Sequence, residues 1–202
     1  MAGLYLSYKM TAYDADGNIT YQEEKQSKSF VKAFLAILAA VMGDQILSAN
    51  HNDTGGTARA IRGNPNGGSA QPTAFGSDGL VNISTKGIVL GTGTTAVAAT
   101  DAALGTQIAH GTSSGQLVHL AQVFAPNAIN IGSITTLTTV RSFLNQSGGS
   151  IVVGEIGIYA DAYTTAGGLT PNQFCIARDV PSPATVVNGG SVSVQYQLTT
   201  TI

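Results

Sequence analysis

The clearest structural signal in this chain lies near its end, in Val192-Ser193-Val194-Gln195-Tyr196-Gln197-Leu198-Thr199. Apolar and polar side chains alternate throughout this stretch, as they do in a strand that buries one face and exposes the other. The preceding Asn188-Gly189-Gly190 is typical of a hairpin turn, because Asn and Gly tolerate positive φ. The stretch therefore predicts a β-strand that is entered from a tight turn and packs on a core through its apolar face.

Further strand-like runs precede this strand, separated by turns rich in Gly, Asn and Ser. No helix-period segment of useful length lies between them, so parallel strand–helix–strand winding is not expected. Short strands at such spacing are typical of antiparallel sandwiches. The fold is therefore predicted to be mainly β, an antiparallel β-sandwich of jelly-roll or Ig-like type with an N-terminal hairpin, one helix and an extended arm. The predicted strands are 83–90, 117–124, 134–144, 150–159 and 173–180.

The first part of the chain predicts a hairpin. Residues 4–10 and 19–21 are strand-like, and Asp14-Ala15-Asp16-Gly17-Asn18 between them is a strong turn signal, since Asp and Asn bond their own backbone. The same string resembles the start of a calcium loop, but the later bidentate Glu and the flanking helices of such a loop are missing. A plain turn is the prediction.

A helix is predicted after the hairpin. Ser27 or Ser29 can cap it, and Gly43 is a suitable stop. The segment is apolar nearly all round, which requires burial on several sides. It is either a core helix or a helix that docks against neighbouring subunits, and the residues alone leave both interpretations open. The candidate assembly residues are Phe30, Phe34, Ile37, Leu38 and Val41.

The remaining N-terminal segment, 48–80, is dense in Gly, Asn and Pro and predicts a linker rather than regular structure. The predicted organisation is a hairpin and helix over 1–47, a Gly/Asn-rich linker or arm over 48–80, and the sandwich over 81–202. We expect the N-terminal segments to act as an arm that packs against neighbours.

Charged side chains are scarce in this chain. They make up 10% of its 202 residues, with a formal net charge of −2, whereas an ordinary globular chain has about 25%. Residues 81–202 carry seven of these charges. A chain with no basic face is not expected to bind nucleic acid or an anionic membrane surface. The longest apolar run, 33–42, is too short to span a bilayer, which needs ~20 residues. Such a composition favours an assembly subunit.

No catalytic, cofactor-binding or metal-binding constellation is predicted. Gly111-Thr112-Ser113-Ser114-Gly115 matches the G-x-S-x-G pattern of hydrolases, but a strand-like segment follows where that motif requires a helix. His51, His110 and His119 lack the spacing of metal ligands. Cys175, the single cysteine, is predicted to be a small buried hydrophobe.

Glu155 is the notable ion of the C-terminal part, because it interrupts an otherwise apolar strand. A buried carboxylate must be paired or hydrogen-bonded. Arg141 and Arg178, the two arginines of 81–202, both lie in strand-like runs and are its candidate partners. A structural ion pair that holds two strands together is preferred over a catalytic acid, since no second carboxylate forms a plausible site with Glu155.

Several runs of residues 87–202 carry a family resemblance: 87–95 with its Gly-Thr-Gly-Thr-Thr, 101–104, 141–149 with its Asn-Gln-Ser-Gly-Gly, 151–159, 176–180 and 188–196. Together they resemble a recurrent module of tailed-bacteriophage virion proteins. The resemblance implies a β-sandwich domain of a capsid or tail structural protein, located in the virion after synthesis in the host cytoplasm. Residues 1–80 carry no comparable resemblance.

The predicted function is that of a non-enzymatic virion structural protein without a cofactor. It is expected to assemble with itself and with the major capsid protein as a decoration or minor capsid subunit. A tail, baseplate or fibre-attachment component is the first alternative. A carbohydrate-binding module is another, but sugar binding favours clustered aromatic rings, and the chain has 6% aromatic residues and no Trp.

Overall fold

The computed structural model describes residues 3–27, 30–43, 50–62, 75–124, 134–164 and 171–201. Within them the chain is mainly β with one helix, and its sheets are antiparallel, which is consistent with the predicted β-sandwich. The helix α1 is Lys32–Gly43, and the strands are β1 (Gly3–Tyr13), β2 (Ile19–Gln26), β3 (His51–Asn52), β4 (Ala58–Arg59), β5 (Ile61–Arg62), β6 (Phe75–Gly76), β7 (Gly87–Gly91), β8 (Val118–His119), β9 (Val123–Phe124), β10 (Ile134–Leu144), β11 (Ile151–Val153), β12 (Glu155–Thr164), β13 (Asn172–Asp179), β14 (Ala184–Val186) and β15 (Ser191–Thr201).

The larger sheet has the strand order β2-β1-β15-β10, and β8 and β9 pair with successive parts of the remaining edge of β10. The long strands β1, β15 and β10 pair over their whole lengths. The alternation is confirmed over 192–197, but it fails at the last pair, where Leu198 is partly exposed and Thr199 is buried. Val192, Val194 and Tyr196 are buried, while the polar residues between them are partly exposed.

The second sheet is built around β12. β13 pairs with one edge of β12, and β7, β6 and β5 pair in turn with successive parts of the other edge. Two short pairs, β11 with β14 and β3 with β4, complete the described strands. Nearly every residue of β12 is buried, so this strand lies in the interior on both of its faces.

One apolar core lies between the two sheets, with Met10, Phe143 and Val194 of the larger sheet and Ile156 and Phe174 of the second. A smaller cluster joins Val89, Leu104, Tyr159 and Cys175 to Val31. The prediction that Cys175 is a buried hydrophobe is confirmed, and burial raises the pKa of its thiol to about 12. α1 packs against β13 and β5.

The predicted boundary between an N-terminal arm and a sandwich over 81–202 is wrong. β1 lies inside the larger sheet, between β2 and β15, and its buried Leu6, Tyr8 and Met10 belong to the main core. The hairpin itself is confirmed, with Asp14 accepting N–H bonds from Asp16 and Asn18 in the turn. The hairpin signal is local, whereas the pairing of β1 with β15 joins the two ends of the chain.

The description of 48–80 as a linker also needs correction for its described part, since 48–49 and 63–74 lie outside the described residues. β5 and β6 pair with β12, and Ile61 is fully buried. Thr54 donates its N–H to the carbonyl of Gln173 in β13. These strands have two residues each, which is too short for a periodic pattern to reveal them.

Three predicted strands have different bounds. β7 begins at Gly87 rather than 83, because Arg141 holds the preceding residues in a loop. The segment 117–124 is split into β8 and β9, between which Gln122 turns its side chain inward to accept the N–H of Ile88. The segment 150–159 is split at Gly154. The helix begins at Lys32, and Ser29, one of its predicted caps, lies outside the described residues.

Candidate functional site

The surface of α1 reverses the usual pattern of an amphipathic helix. Its buried face consists of Ala33, Ala36 and Ala40 together with Ile37, which is 2% exposed. The small alanines allow the helix to lie close to the sheet. The outward face carries large apolar side chains where a free surface helix carries charged ones. They are Leu35 (64% exposed), Leu38 (39%), Val41 (46%) and Met42 (80%).

A second apolar surface lies at the end of the larger sheet. Leu6, Leu198 and Leu137 stand side by side on β1, β15 and β10 and face the core side of that sheet. The end of this row is not covered by the second sheet, so Leu137 is 45% exposed, and Leu4, two residues before Leu6, is 51% exposed. With Phe124, Leu6, Leu137 and Leu198 line an apolar cleft of about 100 Å³.

The two surfaces are continuous. Phe34 of α1 lines the cleft beside the leucines and also lies next to Leu38 and Val41 on the helix. It stacks on Phe30, with ring centroids 4.1 Å apart. We call the combined surface the apolar strip. It consists of Leu35, Leu38, Val41 and Met42 on the helix, Phe34 at the junction, and Leu4, Phe124, Leu137 and Leu198 on the sheet.

The predicted assembly residues are therefore divided by the structure. Leu38 and Val41 are exposed, Phe30 and Phe34 are half-buried, and Ile37 lies in the core and is not available to a partner. The prediction did not include the sheet residues of the strip. Leu4, Leu137 and Leu198 lie in long strands, where nothing in the local pattern distinguishes an exposed leucine from a buried one, and their exposure depends on where the second sheet ends.

Glu155 is fully buried at the start of β12. Its carboxylate accepts main-chain N–H bonds from Gly93 (3.1 Å), Gly105 (2.9 Å) and Thr106 (2.7 Å). Arg178 on β13 donates to the same carboxylate from Nε at 3.0 Å and from Nη2 at 2.9 Å. Burial alone would raise the pKa of Glu155, but these N–H donors and the guanidinium hold it below its usual range.

Arg178 extends this cluster to the loop before residue 105. Its Nη1 donates to Asp101 at 2.8 Å and its Nη2 to the carbonyl of Thr95 at 3.0 Å. A side chain at Gly91 would bring a Cβ within 2.5 Å of the Glu155 carboxylate, which explains why a glycine stands there. The pair holds β12 and β13 together, as predicted, and it also fixes the loop that carries the Gly-Thr-Gly-Thr-Thr run.

Arg141 does not join this pair. It is fully buried and, among the described residues, makes no ion pair with a carboxylate. Burial lowers its pKa to about 10, so it remains charged at neutral pH. Instead it donates to main-chain carbonyls of the loop before β7, of β7 itself and of the segment after β8. The acceptors are Leu80 (2.8 Å), Ile83 (2.5 Å), Lys86 (3.0 Å), Ile88 (2.8 Å) and Leu120 (2.8 Å).

The three histidines lie in two separate parts of the structure. His119 is fully buried, its ring meets Phe143 edge-on at 5.0 Å, and its main-chain N–H donates to His110 Nδ1 at 3.1 Å. Burial and the charge of Arg141 lower the pKa of His119 to about 4. His51 lies elsewhere, beside Lys32. Across the described ranges, no group of three or more His, Cys, Asp or Glu is arranged to hold a metal ion.

The Ser113 motif forms a turn. The N–H of Ser113 donates to the side chain of Gln116, Gly115 has φ +78°, and the short strand β8 follows in place of a helix. In the described part of the chain, α1 is too short to cross a membrane. The comparisons with protein-family models, curated proteins and solved structures find no match for this chain.

Proposed function

We propose that this chain is a non-enzymatic structural subunit of a phage virion, which assembles with copies of itself and with the major capsid protein as a decoration or minor capsid subunit. The observation that carries the proposal is the apolar strip. Single exposed apolar residues are ordinary on protein surfaces, but a contiguous patch marks an interaction site. In the strip, large side chains of one helix continue into an open cleft of the sheet.

The buried ions support the same proposal. Glu155 and Arg178 satisfy each other and a neighbouring loop, and Arg141 is engaged by carbonyl groups on several sides. Charged side chains of this kind stabilise loops and do not bind a substrate, because their hydrogen-bonding capacity is already used within the chain. The resemblance of 87–202 to virion modules supports a location in a virion.

Purified phage particles test the proposal. In particles of the phage that encodes the chain, we expect mass spectrometry to find it in a constant ratio to the major capsid protein after density-gradient purification. Heads separated from tails should retain it. Recovery with the tails alone would overturn the capsid assignment and favour the tail or baseplate alternative. Absence from both fractions would contradict a virion role.

A further inference from the structure

We infer that the apolar strip is covered by the same strip of a second copy of this chain, with the α1 face of each copy lying in the leucine cleft of the other. The inference deepens the proposed function and rests on it, since it names the partner that the strip takes. It follows from the shape, the charge and the area of the strip.

The shape of the strip suits a reciprocal contact. Each chain presents a ridge, formed by Leu35, Leu38 and Met42 on α1, beside a cleft that contains Leu137 and Phe124. A two-fold contact places each patch of one copy against the complementary patch of the other, so a ridge and a cleft side by side on one surface complement themselves. Phe34 lies at the junction and would be near the two-fold axis.

The charge of the strip favours an identical partner. None of its residues is ionisable, and Lys32 is the one charged residue of α1. When two identical surfaces meet, any charge near the axis faces its own like charge and repels it. An uncharged surface on a chain with a net charge of −2 avoids this repulsion.

The area is sufficient for a stable pair. From the exposed fractions of its side chains, the strip offers an apolar surface on the order of 700 Å² per chain, compared with the ~800 Å² that each partner buries in a standard interface. Leaving this surface in water is unfavourable, and burying it against a second copy removes the penalty in both chains at once.

Light scattering after size exclusion tests the inference on the full chain. Val41 in the strip and Val152 on β11 are each 46% exposed, so Val41→Glu and Val152→Glu form a matched pair. We expect a dimer for the unaltered chain and for Val152→Glu between about 1 and 100 µM, and a rise in Kd of at least roughly tenfold for Val41→Glu, since a carboxylate would be buried at the interface. A monomeric unaltered chain, or equal behaviour of the two variants, overturns the inference.

Cross-linking tests the reciprocal arrangement. We expect a chain with Leu38→Cys, mixed with a chain with Leu137→Cys, to give a mixed disulfide dimer on oxidation. A mixture of Leu38→Cys with Val152→Cys should not. The native Cys175 is fully buried and does not interfere. Disulfides between two Leu38→Cys chains in place of the mixed product would overturn the arrangement.

The two proposals fail in different ways. A chain that is found in virions but remains monomeric, with Val41→Glu and Val152→Glu alike, would retain the virion function and overturn the second copy as occupant. The strip would then contact another virion protein. A chain that forms the Val41-dependent dimer but is absent from particles would retain the dimer and overturn the virion function.

Discussion

At the residue scale, the two buried arginines show how one residue type can satisfy its charge in two ways. Arg178 is neutralised by Glu155 and Asp101. Arg141 is neutralised by no described carboxylate and is held by carbonyl dipoles, which a planar guanidinium with five N–H donors can engage in several directions. The sequence identified both arginines as candidates because buried ions in an apolar strand must be paired, but it contained no signal that separates the two roles.

The Glu155 cluster predicts a large effect of a small change. Glu155→Gln keeps the size of the side chain but removes the charge that Arg178 requires and turns an amide towards the N–H groups of Gly105 and Thr106. We expect a loss of about 3–5 kcal/mol in the free energy of unfolding, as for other broken buried pairs, measured by urea denaturation. Glu24 is exposed, so Glu24→Gln is the control and should change the free energy of unfolding by less than about 0.5 kcal/mol. A loss below about 1 kcal/mol for Glu155→Gln would contradict the structural role.

The buried His119 predicts a pH dependence of stability. Its pKa is about 4 in the folded chain and near 6.5 when the chain unfolds, so between these values the unfolded state binds the proton more readily. The contribution of neutral His119 to the free energy of unfolding should be fully present above pH 6.5. It should fall by roughly 3 kcal/mol as the pH decreases to 4. Arg141 and His110, the charged or titratable groups that face His119, oppose its protonation.

His119→Phe should reduce this pH dependence, because it keeps an aromatic ring against Phe143 but does not titrate. Urea denaturation at pH 7.5 and pH 4.5 measures the difference. His51, whose pKa is also lowered by burial, contributes in the same direction in both proteins, so the comparison isolates His119. If the free energy of unfolding of His119→Phe fell between pH 7.5 and pH 4.5 as much as that of the unaltered chain, His119 would not be the source of the pH dependence.

At the element scale, α1 explains why the sequence left its role open. The helix is apolar nearly all round, but most of its small residues lie inside, with Ala33, Ala36 and Ala40 beside Ile37, whereas Leu35, Leu38, Val41 and Met42 lie outside. The two interpretations of the sequence, a core helix and a docking helix, each describe one face of α1. The inward face belongs to the core, and the outward face is left for a partner. Side-chain size distinguishes the inward face from the outward face, and the pattern of hydrophobicity alone does not report it.

The two faces of α1 predict opposite responses. Ala36→Leu inserts a large side chain between the helix and the core, so we expect a loss of about 1–3 kcal/mol from overpacking. Leu35→Gln on the outward face should leave the stability of the monomer within about 0.5 kcal/mol. Urea denaturation at concentrations below the dimer Kd gives both values. A destabilising Leu35→Gln would mean that Leu35 is packed within its own chain.

At the scale of the whole molecule, the sheet joins the two ends of the chain. β1 pairs with β15 from Gly3 opposite Thr201 to Tyr13 opposite Ser191. The N-terminal hairpin is therefore part of the larger sheet and not an arm that docks independently of the sandwich.

Deletion of residues 1–26 tests this continuity. The truncation removes β1 and β2, exposes the long edge of β15 and uncovers Val194 and Tyr196 of the core. We expect an insoluble or unfolded product, judged by circular dichroism and by the loss of a cooperative thermal transition, because an open apolar edge strand aggregates. A soluble, cooperatively folding remainder would show that the hairpin is an arm after all.

The sequence by itself determined the class of the fold, the long strands β10 and β15, the N-terminal hairpin and the burial of Cys175. A local pattern of alternation or turn chemistry predicts each of these features. The sequence also placed Glu155 in an ion pair, since a buried carboxylate has few alternatives. Only the tertiary structure decided which arginine pairs with it, that β1 belongs to the main sheet, and that Leu137 and Met42 lie on one uncovered surface. These features depend on contacts between residues far apart in the chain, which no local pattern encodes.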